Sequence, residues 1–219
     1  MLPATGPIGS ALRWRVLERL EPLLDDQQVA MIFVDMPMGL LDARIAGGRD
    51  CDRLARKLLG RPRASSVFSP PTRAALAERD YPRAQRANGG GLSLQSFHLF
   101  AKIRELDGLV DPQTQARCRE AHPELIFWRL RAGETCAPKR SEGGRQQRVE
   151  ALARECAGVA ESIATLRAGM GAGAVALDDA IDAVGLAWAA RGALDGRGLR
   201  VPQSGGNADA RGLRMEIWY

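Results

Sequence analysis

Three carboxylates stand out by context in this sequence: Asp35, Glu124 and Asp182. Asp35 follows the apolar run Met31, Ile32, Phe33, Val34 and precedes Pro37 and Gly39. The run, roughly from Val29 to Asp35, reads as a buried strand stopped at a tight turn. An acid there stands at the carboxyl edge of a sheet, where open α/β sheets place their ligands. The same acid could equally do no more than organise the turn by accepting backbone hydrogen bonds. Glu124 follows His122 and Pro123, just past a short expected strand over Arg117–Ala121. It is either a second acid beyond a strand end or a helix-start charge favoured by the macrodipole of a helix over Leu125–Leu130. Asp182 lies within an expected helix, Asp178–Ala190, flanked by Ile181, Ala183 and Val184. Such neighbours predict partial burial, and a buried carboxylate needs a partner or a cation. Asp178 and Asp179 lie about one turn earlier and can converge with it, although capping and the helix dipole suffice to explain that pair.

Acids drawn from separate elements, in a chain with only two histidines, suit hard oxygen-binding cations such as Mg2+ or Mn2+. Two such ions roughly 4 Å apart can activate a water and stabilise a leaving oxygen in phosphodiester cleavage. The balance of charge permits a nucleic-acid partner, DNA or RNA, without demanding one. The net charge is +5, the isoelectric point is about 9.4, and only Lys57, Lys102 and Lys139 of the 31 basic residues are lysine. Guanidinium groups pair bidentately with phosphate. Arg53 and Arg56 on a helix over Cys51–Leu59, the hydroxyls of Ser65 and Ser66 just after it, and Lys139 in a later polar loop are the candidate phosphate-binding groups. A merely solvated helix face accounts for the arginines equally well. Four cysteines without a C-x-x-C pair argue against structural zinc and for free thiols in a reducing cytoplasm. No apolar run is long enough to span a membrane, and the first residues lack the pattern of a secretory signal.

The elements expected around these residues are mostly helical. Ala11–Leu24 has helix-like apolar spacing, although Leu12–Leu17 could equally end a strand, and residues 1–10 read as loose. Leu40–Gly48 reads as loop, and Asp50 can cap the helix that Gly60 and Pro62 stop. Pro70 and Pro71 exclude a helix over Ala64–Thr72. Thr72–Arg79 and Arg83–Asn88 read as short helices. Ser93 caps a longer one over Leu94–Leu106, ended by Asp107 and Gly108. Lys139–Arg148 is polar and reads as loop, followed by helices over Gln147–Cys156 and Ser162–Leu166. Gly169–Gly173 forms a joint, Asp178 is the expected cap of the last helix, and Leu213–Tyr219 alternates like an edge strand. One domain over residues 1–219 is expected, with a mostly helical insertion at about 42–110.

Several blocks, in order from about residue 30 to the C-terminus, carry a resemblance. They are Val34-Asp35-Met36-Pro37-Met38-Gly39-Leu40, Arg49-Asp50-Cys51-Asp52-Arg53-Leu54-Ala55-Arg56, and Gly60-Arg61 with Ser65-Ser66-Val67-Phe68. Then come Gly91-Leu92-Ser93-Leu94-Gln95 with Lys102-Ile103-Arg104-Glu105, and Glu120-Ala121-His122-Pro123-Glu124. The last are Asp179-Ala180-Ile181-Asp182-Ala183 and Gly212-Leu213-Arg214-Met215-Glu216-Ile217-Trp218. Together they resemble the prokaryotic family called domain of unknown function four-two-nine, predicted ribonuclease H-like nucleases. The resemblance implies an α/β, ribonuclease H-like fold with a central mixed sheet flanked by helices. It implies hydrolase activity on phosphodiester bonds, with Asp35, Glu124 and Asp182 as catalytic acids and Asp35, Asp182 and Asp179 as ligands of Mg2+ or Mn2+. Members of that family begin with a strand bearing Asp-Gly and two further antiparallel strands, and the roughly thirty residues before the Asp35 block contain no such strand. The N-terminal hairpin strands are therefore expected to be missing or reduced, with a two-ion site short of one acid. Three functional readings stay open: a metal-dependent nuclease, a non-catalytic nucleic-acid-binding or interaction module on the same fold, and, ranked last for want of a phosphate loop, a small-molecule phosphotransfer or nucleotide-binding enzyme.

Overall fold

The computed structural model describes residues 12–170 and 175–219. The residues expected to be loose at 1–10, and most of the glycine joint at 169–173, lie outside that range. Strand β1 is Ile32–Val34 and β2 is Cys118–Glu120; they run parallel, with Ile32 opposite Cys118 and Val34 opposite Glu120. The antiparallel pair β3 (Arg200–Val201) and β4 (Ile217–Trp218) adjoins them through a parallel bridge between Ala121 and Trp218. The lateral order is thus β1, β2, β4, β3. The C-terminal segment is not the edge strand its alternation suggested. It lies between two neighbours, because the His122 amide donates to the Trp218 carbonyl on one side and Tyr219 exchanges bonds with Leu199 on the other.

Side chains alternate across β1, so the strand separates two apolar layers. Ile32 packs with Leu24 of α1 (Glu21–Asp25) and Leu106 of α6 (Phe100–Leu109). Phe33 faces the other way, into a cluster with Ala55 of α2 (Asp50–Leu59), Leu125 of α7 (Pro123–Leu130) and Ala189 of α10 (Leu177–Leu194). Beyond α7 a further cluster joins α8 (Glu142–Ala153), α9 (Val159–Met170) and α10. The segment between α2 and α6 supplies α3 (Arg73–Ala77), α4 (Tyr81–Ala87) and α5 (Leu94–His98), which close over Leu40 and Phe100. The chain is a mostly helical α/β protein with two small two-stranded sheets.

Several expected boundaries move for identifiable reasons. No helix spans Leu12–Leu20; α1 begins only at Glu21, where Pro22 suits a first turn, and Val16 on the expected apolar stripe is exposed. Arg63–Ser66 forms a short 3-10 turn. Leu94–Leu106 is two helices parted at Leu99, whose amide bonds the Ser96 carbonyl in a tighter i→i+3 turn, and α6 runs through Asp107 and Gly108 to Leu109. The segment expected to be polar loop contains the first part of α8, capped by Ser141 on the Gly144 amide. Gly143 and Gly144 pointed away from helix, yet a Cβ on Gly144 would lie 2.0 Å from the Pro138 carbonyl oxygen. Glycine there permits close approach. The last helix starts after Ala176, so Asp178 lies in its first turn and is not its cap.

Candidate functional site

Asp35 follows β1 directly, at the carboxyl end of the parallel pair. The turn after it is held by a buried ionic cluster. The Arg49 guanidinium donates to both oxygens of Glu120 at 2.6 and 2.7 Å, to Asp52 at 2.7 Å, and to the carbonyls of Met38 and Gly39. Glu120 also accepts from the Met38 amide at 2.7 Å. Arg49, Asp52 and Glu120 are all nearly inaccessible. Gly39 completes the clamp in a left-handed conformation (φ +76°), and a Cβ there would meet Met215 at 2.8 Å. Burial is offset for these charges only because each is paired and hydrogen-bonded. Breaking any one strands the others, so the cluster fixes the direction in which Asp35 leaves the strand. Sequence reasoning missed Arg49, Asp52 and Glu120 as a unit. The available signal was Glu120, a carboxylate in the expected strand Arg117–Ala121.

The carboxylate of Asp35 reaches solvent at the floor of a cleft and makes no hydrogen bond or ion pair among the described residues. The surrounding protein mass raises its pKa. Nearby His122 and Lys139 pull it down, and the carboxylates of Asp179 and Glu124 push it up. Asp182 projects from α10 toward the same place. Its pKa is pushed up to about 6 by burial, against the lowering effect of Lys139 and with a raising contribution from Asp35. Lys139 lies between the acids of α10, its Nζ 3.2 Å from Asp182 and 3.9 Å from Asp178. These carboxylates raise its pKa against the lowering effect of desolvation. Asp179 is exposed in the first turn of the same helix. Gly185 seats α10 closely on α7, where a Cβ would touch the Phe127 ring at 3.2 Å.

Glu124 lies in the first turn of α7, within electrostatic reach of Asp35, and is buried against Arg148 of α8 in an ion pair. Its helix is capped by His122, whose Nδ1 accepts from the Glu124 amide at 3.2 Å. That leaves Nε2 to carry the proton toward the Ser66 carbonyl at 3.3 Å. His122 is thus a neighbour of Asp35 that the sequence did not single out.

The candidate phosphate-binding groups fall in two places. Lys139 joins the acids. Arg53 donates to the Gly48 carbonyl at 2.6 Å and pairs with Asp50. Arg56 donates to the carbonyls of Val67 (2.8 Å) and Gly47 (2.6 Å) and to the Ser69 hydroxyl (2.9 Å). Ser65 and Ser66 donate to the carbonyls of Pro62 and Arg63. These four tie the loop around residues 47–69 together.

The oxygen donors fit a hard divalent cation by chemistry. Asp178, Asp179 and Asp182 on one helix and the unpartnered Asp35 share a single ammonium, which leaves a surplus of negative charge. Among the described residues, however, no three His, Cys, Asp or Glu side chains lie close enough together to hold an ion. None of the four cysteines forms a disulfide, and among the described residues no helix is long and apolar enough to cross a membrane. No curated protein and no solved structure matches the chain. A family model described as Protein of unknown function (DUF429) matches residues 4–205. The chain belongs to the DUF429 family.

Proposed function

We propose that this protein is a metal-dependent nuclease of ribonuclease H-like architecture that hydrolyses phosphodiester bonds at the Asp35 cleft. The observation that carries the reading is electrostatic. Asp179 and Asp182, from one helix, each lie within electrostatic reach of Asp35 at a strand end, and Lys139 is the cation bonded to the set, with Arg148 acting on Asp182 from its pair with Glu124. A cleft that only bound a polyanion would gain nothing from such acids. Their presence makes sense where a cation joins them before or with the substrate. The mixed order β1, β2, β4, β3, covered by helices on both faces of β1, supports the architecture.

Asp35, Asp179 and Asp182 are the candidate ligands of Mg2+ or Mn2+; to hold it they would have to draw closer together than they stand, and Lys139 competes with the ion for Asp182. The ion, when bound, would supply Lewis-acid stabilisation of phosphoryl oxygens and a more acidic water. The chain's own residues do the rest. The Arg49 cluster keeps Asp35 at the cleft floor. His122, with its proton on Nε2, caps α7 and so fixes Glu124, which Arg148 neutralises. Glu124 thereby shapes the cleft wall rather than adding charge to it. The test is cleavage of end-labelled DNA and RNA, single-stranded and duplex, with Mn2+. Asp35→Asn and Asp182→Asn should each abolish cleavage while the far-ultraviolet circular dichroism stays that of the parent. Cleavage that survives both substitutions contradicts the reading.

Lys139 favours a second reading. An ammonium already bonded to Asp182 partly does the work of a cation, as in a binding module that has no turnover. That module would bind nucleic acid with strong salt dependence and show no Mn2+-dependent cleavage.

A further inference from the structure

Beside the Asp35 cleft the chain exposes one aromatic ring on a rigid support. Phe68 is 37 % exposed, and it is the sole aromatic among the exposed large hydrophobic side chains of the described residues. It stacks on no other ring there. With Asp35, Pro37 and His122 it lines a recess of about 20 Å³, the space of a single water. Its backbone is tied on both sides. The Arg56 guanidinium bridges the Val67 carbonyl (2.8 Å) and the Ser69 hydroxyl (2.9 Å). His122 meets the Ser66 carbonyl, Val67 is buried, and Pro70 and Pro71 follow. A hydrophobic ring left in water is common; a ring held out on a fixed strap at the mouth of a cleft is set up to meet another surface.

The surroundings say what kind of surface. Pro70, which lines the recess, also lines with Ser69 a neighbouring pocket of about 70 Å³ that includes Arg44. The Arg44 guanidinium rests over the backbone of Gly91, where a Cβ would lie 2.6 Å from its Nη2, and makes no hydrogen bond or ion pair among the described residues. The recess and this pocket, which share Pro70, therefore bring together a carboxylate (Asp35), a π face (Phe68) and an uncommitted positive charge (Arg44). A ligand that matches carries a flat ring and negative phosphates along one chain. In a duplex both faces of each base are covered by neighbours; in a single strand they are available to an aromatic side chain.

We infer that Phe68 is a stacking platform for an unpaired base, which makes single-stranded nucleic acid the substrate class of the cleft. The inference rests on the nuclease reading of the Asp35 site. The test is fluorescence anisotropy with Ca2+ in place of Mn2+, so that the acids are neutralised while cleavage is suppressed, with labelled oligothymidylate, the same strand lacking its bases, and a duplex. Wild type should bind the base-bearing single strand most tightly. Phe68→Ala should weaken that strand by about five- to a hundredfold and leave the abasic strand unchanged, whereas Phe68→Trp should bind as well as the parent. Because Phe68 is exposed, all variants should keep the parent's melting temperature. Equal binding by Phe68→Ala and wild type, an equal loss on the abasic strand, or a preference for duplex would overturn the inference alone. A wild-type protein that binds none of the three would overturn the nucleic-acid reading with it.

Discussion

Asp182 and Lys139 are the residues on which the electrostatics of the cleft turn. A carboxyl titrating at about 6 when folded and near its ordinary value when unfolded favours the folded state while protonated. Its contribution is full below the unfolded pKa and is lost as pH rises through about 6. Stability falls by at most about 1.4 kcal/mol for each pH unit between those two values. The side-chain carboxyl resonance of Asp182 should therefore move with a midpoint near pH 6, and in Lys139→Met the midpoint should move higher because a favourable charge is gone. A midpoint in the ordinary carboxylate range would mean that Asp182 is better solvated than the structure indicates. Removing Lys139 also removes a competitor for the acids. Lys139→Met should bind Mn2+ more tightly than the parent, on the order of tenfold, and weaker binding would show that the ammonium helps to gather the carboxylates.

At the scale of elements, the same chain that makes the site also explains its odd residues. Two consecutive glycines open α8, yet only one is required by packing. Gly143 has open space where a Cβ would be, whereas Gly144 abuts the Pro138 carbonyl. Gly143→Ala should raise stability by up to about 1 kcal/mol through helix propensity. Gly144→Ala should lower it by about 1–3 kcal/mol through overpacking, with urea denaturation as the measurement. The reverse ranking would mean that α8 does not approach Pro138 as described. The turn after β1 is similarly explicit. Arg49→Met leaves Glu120 and Asp52 buried without their cation, and should cost about 3–5 kcal/mol. Strand ends and caps were legible where one residue type decides them: Ser93, the stop at Gly60, and the strand before Asp35. Helix α8 was not legible, because a glycine demanded by close approach of the nearby Pro138 carbonyl looks like a glycine of a loop. The position of β4 was not legible either, since two-residue strands take their place from neighbours distant in the chain.

Over the whole molecule, the sequence singles out Asp35, Glu124, Asp179 and Asp182 because each stands at a strand end, in a first helical turn, or among apolar residues within a helix. What sequence could not convey is the neutralisation of Glu124 by Arg148 and the insertion of Lys139 among the others, both made by a segment that reads as loop. A basic chain of net charge +5 that takes nucleic acid should lose affinity steeply as salt rises, and a shallow slope would show that phosphates are not what it contacts. The central claim is that the acids of the Asp35 cleft receive a divalent cation. Its most direct test is calorimetric titration of Mn2+ into the wild-type protein and into Asp182→Asn, with the fold of each checked by thermal melting. Uptake by the wild type that disappears in the variant is the predicted result; no uptake by the wild type, or equal uptake by both, would contradict the claim.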